Sequence, residues 1–206
     1  MLSVYSSDRA RAGLVLAHGA GAGQQSRFMV ETSRALAGRG ITTATFDFPY
    51  ITRGRSAPDK APVLEAAWRD AIAAARGDQA FAALPLFIGG KSMGGRIASH
   101  VAAQGAEGIA GLVFLGYPLH PPGRPETRRD AHLPAIKEPM LFVQGTRDEF
   151  GTSAEIRELL PRLNPKAALF EVADGDHSFK VRVKLTGRPQ QAIIDEIYDR
   201  VAAFIL

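Results

Sequence analysis

The stretch Gly90-Lys91-Ser92-Met93-Gly94 follows the apolar run Leu86-Phe87-Ile88 directly, and no other feature constrains the fold as strongly. A strand that enters G-x-S-x-G and continues into a helix forms a nucleophile elbow. The turn is so tight that the residues two before and two after the serine must be small. Here they are Gly90 and Gly94, with Gly95 adding room. Such a turn holds the serine in a strained backbone conformation, its hydroxyl projecting over the strand end.

Gly-Lys-Ser also closes the phosphate-binding loop G-x-x-x-x-G-K-[ST]. The opening glycine of that loop would fall at Pro85, which has no N–H to offer a phosphate. The residues from Pro85 to Gly89 are mostly apolar strand rather than a glycine-rich cradle. The phosphate-loop reading is therefore set aside.

Around this elbow, short apolar runs alternate with helical patterns. Leu14–Ala17, Thr42–Phe46, Leu86–Gly90, Leu112–Leu115, Met140–Val143 and Ala168–Val172 read as strands. Between them lie helical stripes: Phe28/Thr32/Ala35/Leu36 opened by Ser26, Leu64/Trp68/Ala71/Ile72/Ala75 with Pro62 in the first turn, and Met93/Ile97/Val101. Two more are Ile156/Leu159/Leu160/Leu163, opened by Thr152 or Ser153, and a terminal helix from Pro189 with Ile193, Ile194, Ile197, Val201, Phe204 and Ile205 inward. Near-continuous apolar strands separated by helices predict a three-layer α/β/α sandwich on a mostly parallel sheet of about six strands. Residues 1–206 read as one domain, interrupted by a proline-rich excursion at about 117–138 that starts at a strand's carboxyl end, where such sheets place ligands.

Composition narrows the classes. The chain has 206 residues, 46% of them hydrophobic, enough for a sizeable core. No apolar run approaches the roughly 18 residues of a membrane span, and Met1–Tyr5 shows no signal-peptide pattern. There is no cysteine, which excludes thiolate metal sites and a cysteine nucleophile and suits a reducing compartment. The net charge of +4 comes from scattered basic residues, so a nucleic-acid partner rests on charge alone. Lys180, Arg182 and Lys184 alternate with Val181, Val183 and Leu185 and read as a charged edge strand.

A serine nucleophile needs a base, and the base needs a group to orient it and stabilise its cation. Asp148 lies just past the strand Met140–Val143, and His177 just past Ala168–Val172. The chain order is serine, acid, histidine, with all three on loops at one rim of the sheet. The competing readings are a helix-capping acid for Asp148, a surface histidine for His177 and a loop-shaping role for His18; Asp174 and Asp176 read as supporting or solvated groups. Oxyanion donors are expected at Met93 N–H and at Ala20 or Gly21 N–H, in the loop His18–Gly23. That loop is not G-x-G-x-x-G, because its third glycine comes one residue early, so a dinucleotide site is not expected. No metal or other cofactor is expected either, since H-E-x-x-H and tight His/Asp clusters are missing.

With these residues the chain resembles the α/β-hydrolase superfamily, from His18-Gly19 to the terminal helix. Leu16–Gly23, Phe46–Tyr50, Gly90–Arg96 and Gly145–Asp148 look like a small dienelactone-hydrolase-like branch. That branch is similar to the hydrolase-like domain in a subunit of a eukaryotic histone-acetyltransferase complex. The chain departs from the superfamily pattern in its missing or reduced N-terminal strands and the absence of a helical cap. The resemblance implies a Ser92/His177/Asp148 triad and a cytoplasmic hydrolase. It also implies an alternative, since similar domains serve as non-catalytic interaction modules. The expectation is a serine hydrolase acting on a small-molecule ester or thioester, less readily an amide. It would be a monomer or homodimer without nucleic-acid or membrane partners. The excursion would wall the pocket, and Arg124, Arg128 or Arg129 could meet an acidic substrate.

Overall fold

The computed structural model describes residues 1–106 and 108–206. Its centre is one seven-stranded sheet of β1 (Ser3–Tyr5), β2 (Ala12–Ala17), β3 (Ile41–Phe46), β4 (Leu86–Lys91), β5 (Ile109–Leu115), β6 (Met140–Gly145) and β7 (Ala167–Val172). The spatial order is β1-β3-β2-β4-β5-β6-β7. All pairings are parallel except β1 with β3, where Ser3 faces Thr45 and Tyr5 faces Thr43. The expected six strands are thus seven. The added one is a three-residue edge strand, too short for a periodic signal and held by its partner's backbone.

The helices are α1 (Arg27–Ala37), α2 (Pro49–Thr52), α3 (Ala61–Gly77), α4 (Met93–Ala103), α5 (Ser153–Leu159), α6 (Val183–Thr186) and α7 (Gln190–Ile205). Strand side chains alternate between two cores, as the period of two requires. Leu14 and Leu16 of β2 join Met29 and Leu36 of α1 and Ile193, Ile197 and Val201 of α7 on one face. Val15 and Ala17 join Trp68 of α3, Ile97 of α4 and Ile156 of α5 on the other. In α7, Ile194 and Phe204 are only half-buried, while Tyr198 and Ala202 complete the inward face. One helix start is set by chemistry legible in the sequence. Thr152 caps α5 with a full capping box, its hydroxyl accepting from Glu155 N–H while the Glu155 carboxylate accepts from Thr152 N–H.

The expected edge strand around Lys180–Leu185 does not form. Asp174 accepts from both the backbone N–H and the guanidinium of Arg182, which turns the chain, and Val183–Thr186 closes into the single turn of α6. The excursion after β5 contains one short 3-10 turn, Leu133–Ala135, and is anchored by the buried side chains of Tyr117, Leu119, Leu133 and Ile136.

Strand order reverses beside β2: the chain steps outward to β3 and then returns to place β4 on β2's other side. The carboxyl ends of β2 and β4 therefore flank the topological switch point, where open α/β sheets form their crevice. The loops that leave those two ends carry Ala20 and Ser92.

Candidate active site

Ser92 joins β4 to α4 with φ 49° and ψ −118°, a region that costs a non-glycine residue energy. Its surroundings enforce the turn. Its N–H donates to Leu115 O at 3.1 Å, and Gly90 has φ 157°. A β-carbon on Gly90 would lie 2.2 Å from Ala17 O, and one on Gly94 would lie 2.3 Å from the same atom. The glycines are there because the elbow packs directly against the β2 backbone. Trp68 fastens the far side, its indole N–H donating to Gly94 O at 3.1 Å.

The three expected side chains converge. Ser92 Oγ lies 2.9 Å from His177 Nε2, and His177 Nδ1 lies 2.9 and 2.8 Å from Asp148 Oδ1 and Oδ2. A carboxylate can only accept, so Nδ1 carries the proton and Nε2 is free to accept from the serine hydroxyl. Asp148 does not cap α5, which Thr152 does. It is 1% exposed and accepts from Phe150 N–H at 2.9 Å and from Gln144 Nε2 at 2.9 Å. Gln144 is fully buried at the end of β6. It also receives Tyr117 N–H at 2.8 Å and donates to Gly151 O at 2.6 Å, joining the acid's loop to the excursion.

The histidine loop is held from several sides. Asp176 Oδ1 accepts from Ser178 and Lys180 N–H, and Asp174 pairs with Arg147 and Arg182. The Arg182 guanidinium and N–H hold the Asp174 carboxyl down to about 2. Lys91 Nζ donates to His177 O at 2.6 Å and stands 5.5 Å over the Phe179 ring. Loss of water around that ammonium lowers its pKa to about 8, against the attraction of Asp148 and Asp176. The Phe150 ring lies 4.3 Å from the His177 ring, covering one face.

Met93 opens α4, so its N–H has no acceptor within the helix. Ala20 and Gly21 lie across the cleft in the loop after β2. Asp47 holds this loop, accepting from Gln24 N–H at 2.7 Å. His18 shapes it, accepting from Phe48 N–H at Nε2 and donating from Nδ1 to Gly19 O. The Tyr50 hydroxyl beside this loop is buried without a hydrogen-bond partner, and its burial raises the phenol's pKa.

The remaining histidines stand apart. His120 contacts Glu155, whereas His100 and His132 pack ring to ring between α4 and the excursion. Burial and the neighbouring His100 push His132 down to about 4. Among the described residues, no group of three or more His, Cys, Asp or Glu side chains is placed to hold a metal ion, and no helix is long and apolar enough to cross a membrane. Of the arginines in the excursion, Arg128 is engaged by Asp130 and Glu155, while Arg129 reaches a cavity beside Ser92. Sequence reasoning missed Gln144, Lys91, Phe150 and Asp47. Gln144 alone had a signal: a long polar side chain at the end of an apolar strand, four residues before the acid.

This architecture recurs among solved structures. The Coxiella burnetii alpha-beta serine hydrolase homologue superimposes with TM-score 0.74 at 15% identity, covering 97% of this chain and 89% of that one. Dienelactone hydrolase from Anabaena variabilis gives 0.70 at 21%, covering 96% and 90%. Est1E from Butyrivibrio proteoclasticus, with ferulic acid bound, gives 0.70 at 14%, covering 98% and 96%. At these identities the likeness speaks for the fold. The sequence profile of the family described as "Alpha/beta hydrolase domain" matches residues 10–206, and the chain belongs to that family.

Proposed function

We propose that the protein is a serine hydrolase that cleaves a small carboxylic ester or thioester through an acyl-enzyme on Ser92, in the cytoplasm. The observation that carries this reading is the unbroken hydrogen-bond chain Ser92 Oγ, His177 Nε2, His177 Nδ1, Asp148 at the switch point of the sheet. The names of the structural neighbours, which include esterases, agree with it.

In the forward step His177 Nε2 takes the Ser92 hydroxyl proton as Oγ bonds to the substrate carbonyl carbon. Asp148 holds the ring in the tautomer that can accept, and stabilises the imidazolium that results. The carbonyl oxygen becomes an oxyanion between the N–H groups of Met93 and Ala20. Ala20 is preferred to Gly21 because it lines both cavities that meet at Ser92. Each such donor contributes about 100- to 1,000-fold in rate. Collapse breaks the bond to the alcohol or thiol, and His177 returns the proton to that leaving group. Water then gives its proton to His177 Nε2 and attacks the acyl carbon, and the proton passes back to Ser92 Oγ as the acid departs.

The test is intact-mass analysis after fluorophosphonate treatment, with peptide mapping and a Ser92→Ala control. One adduct on Ser92 is expected, and ester hydrolysis by Ser92→Ala should fall by at least about 10⁴-fold. A folded wild-type protein that takes no adduct and cleaves no ester refutes the reading. It would favour the interaction-module alternative that the resemblance to the histone-acetyltransferase subunit's domain brings with it.

A further inference from the structure

Two cavities meet at Ser92, and their chemistry differs. One, of about 540 Å³, opens over Phe28, Met29 and Phe150 and is mostly apolar. The other, of about 320 Å³, extends between the start of α3 and the excursion. Ser92, Met93 and Ala20 form its inner end, and Arg96, Arg129 and Asp59 supply its charges.

Arg96 lies in the first turn of α4, four residues after Ser92, and lines the same cavity. Its guanidinium is poorly satisfied. Nε is buried without a partner, and its hydrogen-bond contact is a 3.5 Å approach of Nη1 to His100. Arg129 has no side-chain hydrogen bond or ion pair among the described residues, and it stands near enough to Arg96 to repel it. Neighbouring cations are committed: Arg128 to Asp130 and Glu155, and Arg55 and Arg53 to Asp59 Oδ1. Two guanidinium groups facing one cavity cost desolvation and mutual repulsion, and an oxyanion placed between them relieves both. The same cavity reaches the serine and both expected oxyanion donors, so such an anion would belong to a molecule bound for reaction. Asp59 also lines the cavity, its Oδ1 held by Arg53 and Arg55 and its Oδ2 buried without a partner. A planar carboxylate matches the guanidinium fork and, carrying one charge, is repelled less by Asp59 than a phosphate dianion would be.

We infer that Arg96 and Arg129 form a carboxylate subsite of the cleft, and that the substrate is an ester or thioester with a carboxylate on the part entering this cavity and an apolar part in the other. This inference rests on the serine-hydrolase reading. In it the arginines set specificity and take no part in bond making.

Matched ester pairs test it: p-nitrophenyl hexanoate against mono-p-nitrophenyl adipate for charge on the acyl side, and phenyl butyrate against p-(butyryloxy)benzoate for charge on the alcohol side. In at least one pair the wild type should favour the anionic ester. Arg96→Gln and Arg129→Gln should each lower the anionic-to-neutral ratio of kcat/KM by about tenfold or more, with Arg96→Lys retaining part of the preference. Because the ratio is internal to each variant, partial misfolding cancels. A wild type that favours the neutral ester in both pairs, or a ratio unchanged by both glutamine variants, overturns the subsite. If neither pair is cleaved, the hydrolase reading fails by itself. Calorimetric titration with adipate then decides the subsite: saturable binding to the wild type that Arg129→Gln loses upholds it, and no binding overturns it.

Discussion

Gln144 offers the sharpest test of how the acid is held. Leucine has similar volume, so Gln144→Leu leaves little cavity but deletes every polar contact of a fully buried amide. The side chain accepts from Tyr117 N–H at 2.8 Å and donates to Asp148 Oδ2 at 2.9 Å, Gly151 O at 2.6 Å and Tyr117 O at 3.3 Å. Its loss orphans the Tyr117 N–H and the Gly151 carbonyl and strips one donor from Asp148. At about 1–3 kcal/mol for each buried group left unpaired, the sum is about 3–5 kcal/mol, a large share of a typical domain's stability. Urea unfolding at neutral pH should show a lower midpoint at unchanged slope. Ester hydrolysis should fall about tenfold or more, because Asp148 keeps only the Phe150 N–H and His177. Gln144→Glu separates shape from charge. It sets a second carboxyl against Asp148, and two carboxylates this close cannot both ionise in a buried site. Its folded-state pKa is raised, so its stability is present at low pH and lost as pH rises above about 4.3. A Gln144→Leu protein within about 1 kcal/mol of wild type would refute the reasoning.

Three further changes probe other levels of the structure. Gly90→Ala would drive a β-carbon into Ala17 O and force φ 157° on alanine, so soluble yield and cooperative unfolding should be lost; Gly77→Ala, with open space around its β-carbon, should be tolerated. Thr152→Ala removes the α5 capping box and should cost about 1 kcal/mol in thermal or urea unfolding. Lys91 has a folded pKa of about 8 against 10.5 for the free side chain. Between these values the unfolded chain binds more protons than the folded one, so this group makes stability rise with pH across that window. Lys91→Met should flatten that rise, and an identical pH–stability profile in the two proteins would contradict the burial of the ammonium.

Legibility followed the range of the interaction. The elbow could be read because its demands are local: a strand, two small residues at fixed offsets and a helix start all lie within about ten residues. The capping box at Thr152 and the apolar strands could be read for the same reason. Strand β1 could not, because Ser3–Tyr5 is extended only through pairing with β3. The alternation of Lys180 to Leu185 misled, because a carboxylate several residues away, Asp174, captures Arg182 and turns the backbone.

From its sequence alone, this chain determined the layer architecture, the strained serine and the order of the serine, acid and histidine. Periodicity, turn sterics and chain order are properties of neighbours along the chain. Only the tertiary structure decided that Ser92, His177 and Asp148 lie within hydrogen-bond distance and that Gln144 clamps the acid. It alone placed Arg96 and Arg129 on one cavity beside the serine. Those facts depend on which strand ends the sheet order brings together and on which charges find partners after folding, and residues far apart in the chain share no pattern from which either can be read.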